Sequence, residues 1–123
     1  MLTSLTCLAL AIYYEARDQT IDGQVAVAEV VMNRVASPKY PDTVCEVVWQ
    51  RKQFSFTHDG KPENPQHHTW EPIKELAAGI LKDPEGHLLG HGATHYHAFY
   101  VDPYWASRLE IVGKVGDHIF YKE

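Results

Sequence analysis

The chain of 123 residues is 45% hydrophobic and 22% charged, the make-up of one globular domain with a single core. Eleven Lys and Arg against 16 Asp and Glu leave a net charge of −5 with histidine neutral, so no basic surface points to nucleic acid or an anionic membrane as partner. The eight histidines matter more, because their protonation in mildly acidic surroundings offsets that negative charge.

No charged side chain occurs before Glu15. Leu5, Leu8 and Ile12, with Ala9 and Ala16, recur at helical spacing, so residues 3–17 are predicted as an amphipathic helix with Thr3 as its N-cap. The same stretch has the hydropathy of a secretory h-region, but no basic residue precedes it and no polar cleavage region follows. It is therefore read as a structural helix rather than a signal peptide, and it is too short for stable membrane insertion. Asp22 is the expected cap of a second helix, Gly23 to Val35. Its valines and alanines run nearly all round, the pattern of a buried central element. Ser37-Pro38 and Tyr40-Pro41 break the chain, and Thr43 to Gln50 forms a short helix with Val44, Val47 and Val48 on one face. Residues 51–66 make a polar loop with an aromatic insertion, Phe54-Ser55-Phe56. Trp70 to Lys82 is a further helix, stopped by Asp83-Pro84. Ala93 to Val101 is β-favouring, and Glu110 to Val115, Gly116-Asp117 and His118 to Tyr121 read as a hairpin. Helices first and a small antiparallel sheet last make an α+β domain spanning 1–123. Cys7 and Cys45 are too few for a disulfide scaffold and lack zinc-ligand spacing; a disulfide and two buried thiols both stay open.

Three constellations bear on chemistry. Glu15 lies beside apolar surface near a helix C-terminus, where the backbone dipole is negative, and both effects push a carboxyl towards its protonated form. A carboxylic acid that keeps its proton near neutral pH is what glycosidic-bond cleavage needs as general acid. The plainer reading is a helix-ending residue paired with Arg17 or a nearby Lys. Around Glu15, the flat faces of Phe54, Phe56, Tyr96, Tyr104 and Trp105 suit sugar rings, and Gln53, Ser55 and Thr57 suit sugar hydroxyls. Secondly, His95 and His97 share one face of a strand, two apart, and can reach one zinc ion. Thirdly, a cysteine nucleophile at Cys7 or Cys45 lacks the polar, cation-rich setting that activates a thiol. No Gly-rich phosphate loop, nucleophile elbow or H-E-x-x-H motif occurs.

Tyr14-Glu15-Ala16-Arg17, then Gly23-Gln-Val-Ala-Val-Ala28 and Asn33-Arg-Val35, resemble the opening of the SleB/CwlJ-type cell-wall hydrolase family. Tyr40-Pro-Asp-Thr-Val44, Val47-Val-Trp-Gln50, Gln53-Phe-Ser-Phe56, Gly92-Ala-Thr-His-Tyr-His97, Pro103-Tyr-Trp-Ala106 and Gly116-Asp-His-Ile-Phe-Tyr121 continue the resemblance in order over essentially the whole chain. The resemblance implies a small lysozyme-related fold and a muramidase or lytic transglycosylase acting on peptidoglycan glycan strands, with the catalytic glutamate at Glu15. The substrate-binding residues expected beside Glu15 are Gln53, Phe54, Ser55, Phe56, Tyr96, His97, Tyr104 and Trp105, and no metal or cofactor is expected. Asp18-Gln19 stands where the family often has Gly-Glu, so a role for that second acid does not carry over. A free-standing domain without a leader is most similar to a phage endolysin, a monomer reaching the wall after holin-dependent release; a fragment of a bacterial protein lacking its leader is the alternative. Asp18, Asp22 and Asp59 offer a second carboxylate only by proximity, which favours a lytic transglycosylase in which Glu15 acts alone. The alternatives are a zinc amidase or peptidase built on His95 and His97, and a non-catalytic wall-binding module.

Overall fold

The computed structural model describes residues 2–50, 65, 67–84, 88–89 and 92–123. Helix α1 (Ser4–Ala16) starts at Thr3, whose side-chain oxygen accepts the Thr6 N–H at 3.1 Å, as its position predicts. The helix is not amphipathic, however. Cys7 through Tyr13 are all buried, because the three other helices surround the middle of α1. Ala9 and Ala11 make room for those close approaches, so the leucine spacing alone understated the burial.

Helix α2 (Ile21–Ala36) begins two residues earlier than expected, because Thr20 rather than Asp22 is the cap and accepts the Gly23 N–H at 3.2 Å. Asp22 instead lies in the first turn, where its charge suits the positive end of the helix dipole. Two sides of α2 are buried. Ala28 and Val31 join the helical core with α1, while Ala26, Val27 and Val30 pack with Ala16, Ala93 and Phe120 under the sheet. A helix sandwiched between two layers has to be apolar nearly all round, which is what its valines and alanines provide.

Helix α3 (Val44–Val48) is capped reciprocally: the Thr43 hydroxyl accepts the Glu46 N–H and donates to the Glu46 carboxylate at 2.8 Å. Cys45 on α3 forms a disulfide with Cys7 on α1, deciding the pairing that the sequence left open. Helix α4 (Trp70–Lys82) has the predicted bounds and lays Ile73 and Ala77 against α1.

Strands β1 (Ala93–Ala98), β2 (Glu110–Val115) and β3 (His118–Lys122) form an antiparallel sheet in the order β1-β3-β2. Tyr96 pairs with Phe120, and Ala98 with His118. Strand β1 ends at Ala98 rather than at Val101, because the chain turns there: Val101 N–H donates to the Ala98 carbonyl and Phe99 N–H to that of Asp117. The β2–β3 turn uses Gly116 at φ +57°, and Gln19 clamps it by donating to the Asp117 carboxylate and accepting the Asp117 N–H. Among the described residues no helix is long and apolar enough to cross a membrane.

Candidate active site

The C-terminal ends of α1 and α2 and one edge of the sheet enclose a cavity of ≈ 390 Å³. Glu15 and Arg34 reach it from the helices, His95, Tyr96, His97 and Ala98 from β1, Val101 and Trp105 from the loop beyond, and His118 from β3. Because β1 is an edge strand, side chains from both of its faces contribute. Tyr96 packs with Phe120 and His118, whereas His95 and His97 both lie against Trp105 on the opposite face.

Glu15 is half-buried, one residue from the end of α1. The Tyr96 hydroxyl, 81 positions away in sequence, donates to its Oε1 at 2.8 Å. Burial, then the neighbouring Glu15 charge and this hydrogen bond, hold the Tyr96 phenol well above the usual tyrosine range. The phenol therefore stays protonated and is available to Glu15 as a donor. The Tyr96 ring is stacked on Phe120 with centroids 5.5 Å apart, which fixes where the hydroxyl points. Arg17, the helix-end partner that the plainer reading offered to Glu15, turns back on its own helix and donates to the Tyr13 hydroxyl at 2.6 Å.

Of the residues expected to make a saccharide groove, three share one cavity. Tyr96, His97 and Trp105 line the cavity with Glu15. Tyr104 does not; it is 79% exposed and lies under the Arg108 guanidinium, because the short 3-10 turn Ala106–Arg108 points it outward. Gln53, Phe54, Ser55 and Phe56, like Thr57 and Asp59, lie outside the described residues. His97 is oriented by two partners: its Nδ1 meets the Ala98 carbonyl and its Nε2 the Tyr121 hydroxyl, each at 2.7 Å. A carbonyl only accepts, so Nδ1 carries a proton towards Ala98; with a single ring proton, Nε2 accepts from Tyr121. Asp18 and Asp22 are exposed and do not line the cavity. Among the described residues, Glu15 is the one carboxylate that does.

Three lining residues had no saccharide role in the sequence reading. Arg34 was a polar point on an apolar helix; it is 5% exposed and donates from Nε to the Thr94 carbonyl at 2.8 Å. Burial lowers its pKa, opposed by Tyr40, Tyr96 and Glu123, but a guanidinium keeps its charge in proteins, so Arg34 places a fixed cation in the wall. A cation on a valine- and alanine-rich α2 was the available signal. His95 faces the cavity with its Nδ1 2.9 Å from the Thr94 hydroxyl, and its pKa is lowered chiefly by burial. His118 is the third. Among the described residues no group of three His, Cys, Asp or Glu stands close enough to hold a metal ion. Glu29, a buried carboxylate outside the cavity, accepts the N–H groups of Leu88 and Leu89 and so ties the approach to β1 onto α2.

The sequence pattern of the Cell Wall Hydrolase family matches residues 18–121, beginning three positions after Glu15. The chain is 32% identical over 121 residues to a spore cortex-lytic enzyme of Oceanobacillus iheyensis and 34% identical over 117 residues to one of Halalkalibacterium halodurans. Those alignments take in 94% and 92% of this chain but 40% and 33% of the two relatives, so the chain spans well under half of their length. The catalytic domain of the germination-specific lytic transglycosylase SleB from Bacillus anthracis superposes with a TM-score of 0.79 at 30% identity, over 97% of this chain and 93% of that one.

Proposed function

The chain belongs to the cell wall hydrolase family, and from that premise we propose that it cleaves the β-1,4 bond between N-acetylmuramic acid and N-acetylglucosamine by lytic transglycosylation, with Glu15 as its one acid and base. The observation that carries this reading is the setting of Glu15: the one carboxylate lining the cavity among the described residues, held at Oε1 by a protonated tyrosine that donates to it. With Oε1 accepting from Tyr96, the proton that Glu15 delivers sits on Oε2. It passes to the glycosidic oxygen as the bond from C1 of the muramic acid breaks, releasing the N-acetylglucosamine 4-hydroxyl. The carboxylate then takes the proton of the muramic acid's own C6 hydroxyl while O6 closes on C1, giving a 1,6-anhydro ring and restoring the acid. Each proton that leaves Glu15 returns to it, and no second carboxylate is required, in contrast to the two-carboxylate scheme of hydrolysis. His97, Trp105 and the Tyr96 ring are the groups proposed to contact the saccharide. Structural likeness to a domain described as a lytic transglycosylase supports the same choice.

The zinc amidase reading has less behind it. Both ring nitrogens of His97 are engaged, by Ala98 and Tyr121. Digestion of purified peptidoglycan followed by mass spectrometry separates the possibilities. Anhydro-muramic ends that disappear in Glu15→Gln support the proposal. Reducing ends convert it to hydrolysis, and free peptide amines that survive in Glu15→Gln overturn it.

A further inference from the structure

We infer that His118 is a substrate-binding residue of this site, a neutral imidazole whose Nε2–H donates a hydrogen bond to an oxygen of the saccharide beside Glu15. The inference rests on the glycan-cleaving reading above and adds a residue that this reading does not use.

His118 opens β3 immediately after the clamped Gly116-Asp117 turn, and its backbone is paired with Ala98 on one side and Val115 on the other. The central strand of a sheet leaves such a residue little freedom. The residue is 9% exposed, and its ring is fixed by edge contacts with Tyr96 at 5.1 Å and Phe120 at 6.2 Å. Tyr96 is the residue that holds Glu15, so the imidazole is set against the group that positions the acid.

The two ring nitrogens have different surroundings. Nδ1 is enclosed and has no hydrogen-bond partner. The residue nevertheless lines the cavity that contains Glu15, and Nε2 is the nitrogen left to face it. A neutral imidazole carries its proton on one of the two. On Nδ1 the proton would be a buried donor with nothing to receive it, at a cost of about 1–3 kcal/mol. On Nε2 only a lone pair goes unpaired, the lesser penalty, and the N–H points into the cavity. The ring is also kept neutral: burial lowers its pKa and His97 adds to this, against the raising effects of Asp117 and Asp18. A fully neutral donor suits this site. It binds a sugar hydroxyl or acetamido oxygen without placing a second full positive charge near Glu15, where Arg34 already supplies one.

The test compares His118→Phe, His118→Gln and Glu15→Gln in digestion of purified peptidoglycan, with kcat and KM on soluble glycan fragments and a thermal melt of each. Glutamine reproduces a donor near the position of Nε2, and phenylalanine keeps the ring without it. His118→Phe is expected to lose about tenfold to a hundredfold in kcat/KM, the range for one lost hydrogen bond, and His118→Gln to recover about tenfold of that loss. Full activity in His118→Phe overturns the assignment. So does a glutamine variant as impaired as phenylalanine, which would mean that the basicity of the imidazole is what matters. If neither variant folds, side-chain nitrogen NMR of the otherwise intact Glu15→Gln protein decides. A proton on Nε2 that shifts on adding glycan fragments supports the donor, and a proton on Nδ1 sinks it. Undiminished cleavage by Glu15→Gln refutes the glycan reading itself. Loss there with an unaffected His118→Phe refutes only this inference.

Discussion

Reduction of the Cys7–Cys45 disulfide tests the helical core directly. The bond joins two helices across 38 positions, and Cys7 lies wholly within the core that also positions the end of α1. For a closed loop of about that length, the lost constraint on the unfolded chain is worth about 4 kcal/mol on the chain-entropy account. A domain of this size unfolds with an entropy of about 0.26 kcal/mol per kelvin, so the melting temperature should fall by about 15 °C. The assay is a pair of thermal melts followed by circular dichroism, with and without a phosphine reductant, together with a thiol count on unreduced, denatured protein. Reduction is cleaner than substitution, because the two sulfurs stay in place and no cavity is cut. Two free thiols in the unreduced protein, or a melting temperature that moves by less than about 3 °C, a fifth of the expected shift, would refute the reasoning. Glu15 is two turns beyond Cys7 on the same helix, so below the new melting temperature activity should survive reduction largely intact.

Tyr96→Phe keeps the ring stack on Phe120 and removes only the donor to Glu15, so kcat should fall about tenfold to a hundredfold with KM changed by less than about threefold. An unchanged kcat in steady-state assays on glycan fragments would remove the hydroxyl from the mechanism. Acid should destabilise the fold early, because His95 and His118 both titrate below the ordinary histidine value, each chiefly through burial. Their neutral forms contribute full stability above the unfolded value of about 6.5, and that stability is lost as pH falls through the folded values, the unfolded chain binding protons first. Melting temperature should therefore drop between pH 7.5 and 5.5, and less so in His95→Gln/His118→Gln; equal slopes in wild type and double variant would contradict it. Glu123 acts separately. Burial opposes its ionisation, but Lys39 and Tyr40 outweigh it and lower its pKa, so its contribution is lost only in more acidic solution. Gly116→Ala puts a Cβ 2.5 Å from Gln19 Oε1 at a positive φ, which should cost about 1–2 kcal/mol in chemical denaturation, and a neutral result would show that the turn relaxes.

Much of the fold was legible because its signals are local. Thr3 precedes a run of helix formers and caps it, and the bounds of α4 follow from its apolar spacing and Asp83-Pro84. Failures came where tertiary contacts decide. Thr20 and Asp22 are both competent caps, and only the path of the chain from α1 selects the first. The amphipathic reading of α1 failed because small residues were counted as spacers when they are points of close approach. Cys7 and Cys45 carry no information about each other until α1 and α3 are packed together.

The site divides along the same line. Glu15 was legible as a carboxylate in an apolar setting, a property of its immediate neighbours. Its partner was not, because Tyr96 is 81 positions away and reads, in isolation, as one more strand aromatic suited to a sugar face. Period-two alternation separates Tyr96 from His95 and His97 but cannot say that β1 lies at an edge, which is what lets both of its faces reach one cavity. Arg34 and His118 follow from this. An arginine in a valine-rich helix and a histidine at the start of a hairpin strand look like ordinary surface residues until α2 is placed under the sheet and β3 at its centre. Both then become buried polar groups, and a buried polar group has to be explained by what it binds. Arg34 has the Thr94 carbonyl and the Tyr40 ring. His118 has an enclosed nitrogen without a partner and a ring edge open to the cavity, which makes it the residue where the structure asks for a ligand.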